Sequence, residues 1–208
     1  MGTITVPNNS VQTLTKCSFV FGFIKPEAVD NTKEIFQRCR AANFTIAYCK
    51  KTLLKKSQLQ KYFGKGTKDI YWRLKTGKYS LNAKDNSQDY SSEECIRQGG
   101  IILDKLVNFL SRGKVVLFIL SLPVEDGNAI EVLNNIVGDT DPRLAAPRTI
   151  RHDLFLANEQ LMMYIDEDSF LLNLIEICDE PENMAEAILN LVPTKDLKKY
   201  NFLSQIEV

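Results

Sequence analysis

Apolar positions along the chain follow two periods, and their alternation predicts the elements. Residues 17–24 (CSFVFGFI) form a short apolar and aromatic run, the mark of a buried strand. It stops at Lys25-Pro26, because proline cannot extend a hydrogen-bonded ladder. Asn31 is placed to cap a helix reaching about residue 42, with Ile35, Phe36 and Cys39 on one face. Residues 44–54 (FTIAYCKKTLL) alternate as a second strand, and Ser57 is placed to cap a short helix containing Leu59 and Tyr62.

From residue 64 to 95 the periodicity fails, which predicts a polar, helical insertion. Ile102, Leu106, Phe109 and Leu110 then form a helical stripe closed by Arg112-Gly113. Residues 114–122 (KVVLFILSL) form the strongest buried strand of the chain. Residues 126–137 read as an amphipathic helix with Ala129, Ile130, Leu133, Ile136 and Val137 on one face. A polar loop over 138–148 leads to a strand over 171–177, and Pro181 opens a last helix with Met184, Ile188 and Leu191 inward. The order predicts an α/β (α+β) fold: a ferredoxin-like βαββαβ antiparallel sheet with helices on one face, plus the insertion. Residues 1–15 read as an N-terminal tail, and 16–208 as one domain interrupted at about 64–95.

Composition narrows the chemistry. The 208 residues carry 26 Lys+Arg against 26 Asp+Glu, so the chain is not built to coat nucleic acid, and no specific nucleic-acid partner is expected. A single His, His152, leaves no His-rich metal site, and no metal ligands are assigned. The five cysteines are odd in number and form no C-x-x-C pair, which predicts reduced thiols and a cytoplasmic setting. No signal peptide and no membrane-length apolar run is read from the sequence. The neutral total conceals an asymmetry. Residues 61–84 hold seven Lys/Arg and one acid, whereas residues 164–189 hold eight acids and no Lys or Arg. The basic stretch is either a solvated face or lies beside an anionic ligand, with Tyr71, Trp72 and Tyr79 either stacking on that ligand or packing the insertion onto the body.

Three ordered motifs take the chain further: FGFIKPEAV at 21–29, GDTDPRLAAPRTIRHD at 138–153 and NLIEICDEPE at 173–182. Together they resemble the nucleoside diphosphate kinases, and the DLKKY near the end is similar to that family's C-terminal tail. The resemblance implies a γ-phosphoryl passed from a nucleoside triphosphate to a diphosphate through a phosphohistidine on the last strand, with Mg2+ accompanying the nucleotide. It implies nucleotide- and phosphate-binding roles for Lys25, Tyr62, Thr140, Arg151 and Asn173. It also implies a homo-oligomer, or a protein partner, using the loop at 138–150.

The departures from that pattern are informative. Glu176 stands where the family has its phospho-accepting His, Ala187 where it has the Glu that orients that His, and Asn134 where it has a second phosphate-binding Arg. Arg148 and His152 each replace a Gly. His152 follows Arg151, and in an extended chain the two side chains point to opposite sides. Glu176 as an acyl-phosphate former and Tyr164 as a nucleophile are the other candidates for rescue; the first has no evident metal site, and the second has no base. The expectation is a nucleotide-binding (ATP, GTP or ADP) pseudoenzyme without phosphohistidine transfer. The alternatives are an enzyme retaining ordinary or altered phosphoryl or nucleotidyl transfer, and an interaction scaffold that binds no nucleotide.

Overall fold

The computed structural model describes residues 4–6, 15–64, 67–85, 87–158 and 172–200. Tyr164, the acids at 166–168 and the predicted start of a strand at 171 lie outside them.

A five-stranded antiparallel sheet carries the fold. Strand β1 (Ile4–Val6) and strand β2 (Thr15–Ile24) pair first, followed by helix α1 (Thr32–Ala41) and strand β3 (Thr45–Leu53). Helices α2 (Lys56–Phe63), α3 (Thr67–Lys84) and α4 (Ser92–Leu110) lead to strand β4 (Lys114–Pro123). Helices α5 (Ala129–Val137) and α6 (Ile150–Leu156), strand β5 (Ile175–Ile177), and helices α7 (Pro181–Leu191) and α8 (Thr194–Tyr200) complete the order. β4 lies between β3 and β2. The other edge of β2 is shared by β1 at one end and β5 at the other. Leaving β1 aside, this is the ferredoxin-like arrangement that the pattern predicts, with the N-terminal segment adding a short edge strand.

Helices cover both faces of the sheet, not one. Val116, Phe118, Leu120 and Leu122 of β4 join Ile35, Phe36 and Cys39 of α1 and Ile130, Leu133 and Val137 of α5 in one cluster. The alternate residues Val115, Leu117 and Ile119 join Leu59 and Phe63 of α2, Leu106 and Leu110 of α4, and Ile188 and Leu191 of α7 in a second. Eight consecutive buried residues in β4 are the sequence trace of that two-sided cover. Each fully buried Leu, Ile or Phe stabilises by about 1.5–3 kcal/mol relative to exposure, so burying both faces favours docking both helix layers.

Several boundaries move for local reasons. A 3-10 helix over Pro26–Asn31 precedes α1, and the Asn31 side chain makes no capping bond. α2 is entered from Lys55, whose N–H donates to the Gln58 side chain at 3.1 Å, so Ser57 lies inside the helix and does not cap it. α5 starts at Ala129 and not at 126, because Asn128 Oδ1 accepts from the N–H groups of Ile130 and Glu131. β5 begins only at Ile175, because Leu174 has φ +69°.

The insertion is a full helix. α3 packs along α4 through small residues: a Cβ on Gly77 would lie 1.7 Å from the Cys95 carbonyl oxygen, and one on Gly99 1.9 Å from that of Arg73. Ser80 is buried in the same seam. Backbones this close need glycine, and glycine leaves no apolar stripe to read. α8 is pinned to β3 by Asp196, which accepts from Lys50 Nζ at 2.5 Å and from the Tyr48 hydroxyl at 2.9 Å.

Candidate functional site

The site is built around a strained turn where β5 begins. Ile175 N–H donates to Asn173 C=O at 2.8 Å across Leu174, whose positive φ makes this a γ-turn that costs about 1–3 kcal/mol. Neighbouring groups hold it. Lys25 N–H donates to Leu174 C=O at 2.8 Å, and Leu174 N–H donates to Glu27 Oε1 at 3.1 Å. The other oxygen of Glu27 is buried and has no hydrogen-bond partner among the described residues, and burial raises that carboxyl above its ordinary range.

Arg151 closes the turn from the other side. Its guanidinium donates to the carbonyls of Asn173 at 3.0 Å, Gly138 at 2.8 Å and Ile175 at 2.8 Å. Burial lowers its pKa to about 10, opposed by the Glu176 carboxylate. Gly138 is fixed by its φ of +90° and by Thr149, whose Oγ1 would lie 2.5 Å from an added Cβ. The loop carrying Thr140 is thereby tied to the strand carrying Glu176.

Lys25 is 1% exposed, and its Nζ donates to Asn173 Oδ1 at 2.6 Å. The same Nζ stands 3.5 Å from Glu176 Oε2. Burial lowers the Lys25 pKa, and the carboxylates of Glu176 and Glu27 oppose that shift. Asn173 Nδ2 donates to Thr140 C=O at 3.2 Å, so one amide joins the buried lysine to the loop.

Five of the six residues singled out from the sequence, Lys25, Thr140, Arg151, Asn173 and Glu176, line one cavity of about 170 Å³. Tyr62 is not among its lining residues. Its ring packs edge-on against Phe23 and Phe63, with centroids 5.8 and 4.8 Å away. Burial, with Glu176 next, pushes its phenol well above the ordinary value. Asn134 faces the cavity, whereas Ala187 is buried in an apolar cluster. His152 does not line the cavity. It sits in α6, not in extended chain, and its Nδ1 lies 2.9 Å from Asp153 Oδ1.

The opposite wall comes from the insertion: Trp72, Lys75, Thr76 and Tyr79 of α3 line the same cavity. Lys75 Nζ lies over the Trp72 ring at 5.1 Å and 3.6 Å from Asp179 Oδ2. The Tyr79 hydroxyl donates to Asp139 Oδ1 at 3.0 Å. Of the two fates open to the basic stretch, a solvated face or a place beside the site, α3 takes the second in part. Lys75, Asp179 and Glu27 were not singled out from the sequence. For the α3 face a signal existed: residues 72, 75, 76 and 79 share one face of a helix.

Fold and site thus define a ferredoxin-like α/β protein with a cation-bearing cavity at the start of its last strand. No family model matches the chain. A nucleoside diphosphate kinase of Pyrobaculum aerophilum is 24% identical over 172 residues, 79% of this chain and 89% of that one. One from Ignicoccus hospitalis is 33% identical over 88 residues, 42% of this chain and about half (49%) of that relative. The crystal structure of an NDP kinase from P. aerophilum superposes with a TM-score of 0.66 at 22% identity, covering 86% of this chain and 97% of that one. A transition-state mimic of the Borrelia burgdorferi enzyme with bound vanadate and ADP gives 0.56 at 17% identity, covering 86% and 89%. At such identities the structural likeness is one of fold. The sequence relatives add that the chain is similar to nucleoside diphosphate kinases, at low identity.

Proposed function

We propose that the protein binds a nucleoside di- or triphosphate, such as ATP, GTP or ADP, and does not transfer phosphate through a histidine. The observation that carries this is the pair of Lys25 and Glu176 at 3.5 Å inside the cavity, with Thr140, Arg151 and Asn173 around it. Cationic and amide groups gathered at the start of the strand suit phosphate oxygens. Glu176 supplies no imidazole, and the one His is engaged by Asp153 on α6. A carboxylate is a poor neighbour for a phosphate: at about 4 Å and an effective dielectric near 20 the two repel by about 4 kcal/mol.

Mg2+ would arrive on the phosphates. Among the described residues no three His, Cys, Asp or Glu side chains gather as a metal cage, and Glu176 and Asp179 are the acids on the cavity wall that would meet it. A cytoplasmic setting belongs to the same reading, supported by the five free cysteines. No helix among the described residues is long and apolar enough to cross a membrane. Self-association through the 138–150 loop also belongs to it.

The cavity's size favours a second reading, a scaffold without nucleotide. About 170 Å³ is below the roughly 300 Å³ at which ordinary ligand pockets begin, so only the phosphates would fit inside. Calorimetry with MgADP and MgGTP separates the two: dissociation constants below millimolar support binding, and weaker ones favour the scaffold. Transfer of labelled phosphate from ATP to a second nucleoside diphosphate at enzyme-like rates would overturn the proposal.

A further inference from the structure

Among the described residues three cationic side chains line the cavity, and they are engaged differently. Lys25 is buried and bonded to Asn173, with Glu176 beside it. Arg151 gives three N–H donors to main-chain carbonyls, which ties it to the turn. Turning either side chain toward an incoming anion leaves a buried partner without its hydrogen bond.

Lys75 differs. Its side chain is 48% exposed and its Asp179 partner 40% exposed, and their 3.6 Å separation is that of a loose ion pair. Such exposed pairs contribute little to stability, so Lys75 exchanges its partner at little cost. The Trp72 ring, one turn earlier on the same face, lies 5.1 Å from the Lys75 Nζ and, with the Tyr71 ring at 5.9 Å, keeps that charge at the cavity wall. An anion entering there meets Lys75 as the cation that needs least rearrangement, with Glu176 and Asp179 as the opposing charges on the wall.

We propose that Lys75, delivered by the inserted helix α3, is the principal phosphate-binding cation of this site, taking the polyphosphate of a nucleoside di- or triphosphate beside Trp72. This rests on the nucleotide-binding reading above. It gives the insertion a role: α3 brings an exposed, loosely paired charge to a pocket whose other cations are bonded into its architecture.

The test uses the full chain, with MgADP and MgATP titrated by calorimetry and by emission of Trp72, the one tryptophan. Lys75→Met keeps the stem and removes the charge; Lys75→Arg keeps the charge. Lys61→Met, on α2 and paired with Glu186 at 3.7 Å, is the surface control. Lys75→Met should weaken binding about tenfold or more, Lys75→Arg should stay within about threefold of the parent, and Lys61→Met should leave it unchanged. Nucleotide should change Trp72 emission in the parent. Binding by Lys75→Met within twofold of the parent overturns this assignment alone. A parent protein silent in both assays overturns the nucleotide reading and the assignment with it.

Discussion

Lys25 and Glu176 face each other at 3.5 Å across the floor of the cavity, so the buried ammonium is already partnered by a carboxylate of the same chain. Replacing that carboxylate by an isosteric amide removes both the competitor for Lys25 and the charge that repels phosphate. Glu176→Gln should bind MgADP about tenfold more tightly, a fraction of the roughly 4 kcal/mol repulsion. The ligand-free protein should also melt lower, because Lys25 loses a countercharge in a site where burial already disfavours its charged form. Calorimetry and a thermal melt check both, and weaker ADP binding in Glu176→Gln would count against Glu176 as competitor.

Arg151 acts here first as a structural clamp on three main-chain carbonyls. A lysine offers one compact ammonium in place of the planar fork. Arg151→Lys should therefore leave at least one buried carbonyl without its donor and lower stability by about 2 kcal/mol in the absence of nucleotide. Urea denaturation of the ligand-free protein measures this, and an unchanged midpoint would refute the clamp.

Arg148 has φ +75°, in the left-handed region that glycine occupies without steric cost. Its N–H donates to Asp153 Oδ1 at 3.0 Å, so the conformation is held by a bond that glycine also makes. Arg148→Gly should raise stability by about 1 kcal/mol. A thermal melt decides it, with a lower melting temperature opposing the strain argument.

Asp153 accepts from His152, from Arg38 Nη1 at 2.7 Å and from the Arg148 N–H, and is held down at about 2. Its folded pKa is thus below the unfolded value of about 3.9. The stability it contributes is fully present above about pH 4 and is lost as pH falls toward 2. Asp153→Asn should flatten that part of the stability profile. Urea midpoints measured between pH 2 and 6 for parent and variant supply the comparison; parallel profiles would argue against it.

Strands β2 to β5, most helices and five cavity residues were legible because each is a local pattern or a motif of fixed spacing, whereas β1 falls in the stretch read as a tail. β4 shows as an unbroken apolar run and α5 as a stripe with period 3.6. What escaped has a physical cause in each case. α3 docks through Gly77 and Ser80 against Gly99, so its buried face has no hydrophobic signature. Tyr62 shares a helix with residues near the site, but its ring is taken up by Phe23 and Phe63. The two-sided cover of the sheet depends on which helices meet which face, a long-range matter that no local window contains.

By itself the amino-acid sequence determined the chemistry available: one His, an acid in the last strand, and motifs that place Lys25, Thr140, Arg151 and Asn173 in order. Tertiary structure alone decided how those groups are engaged. It joined Lys25 to Glu176, turned Arg151 onto three carbonyls, and brought Lys75 from the insertion to the same cavity. The reason is that a charged side chain's role depends on which partners reach it through space. Residues 25, 75 and 176 become neighbours of one cavity only when the sheet and α3 have closed around it.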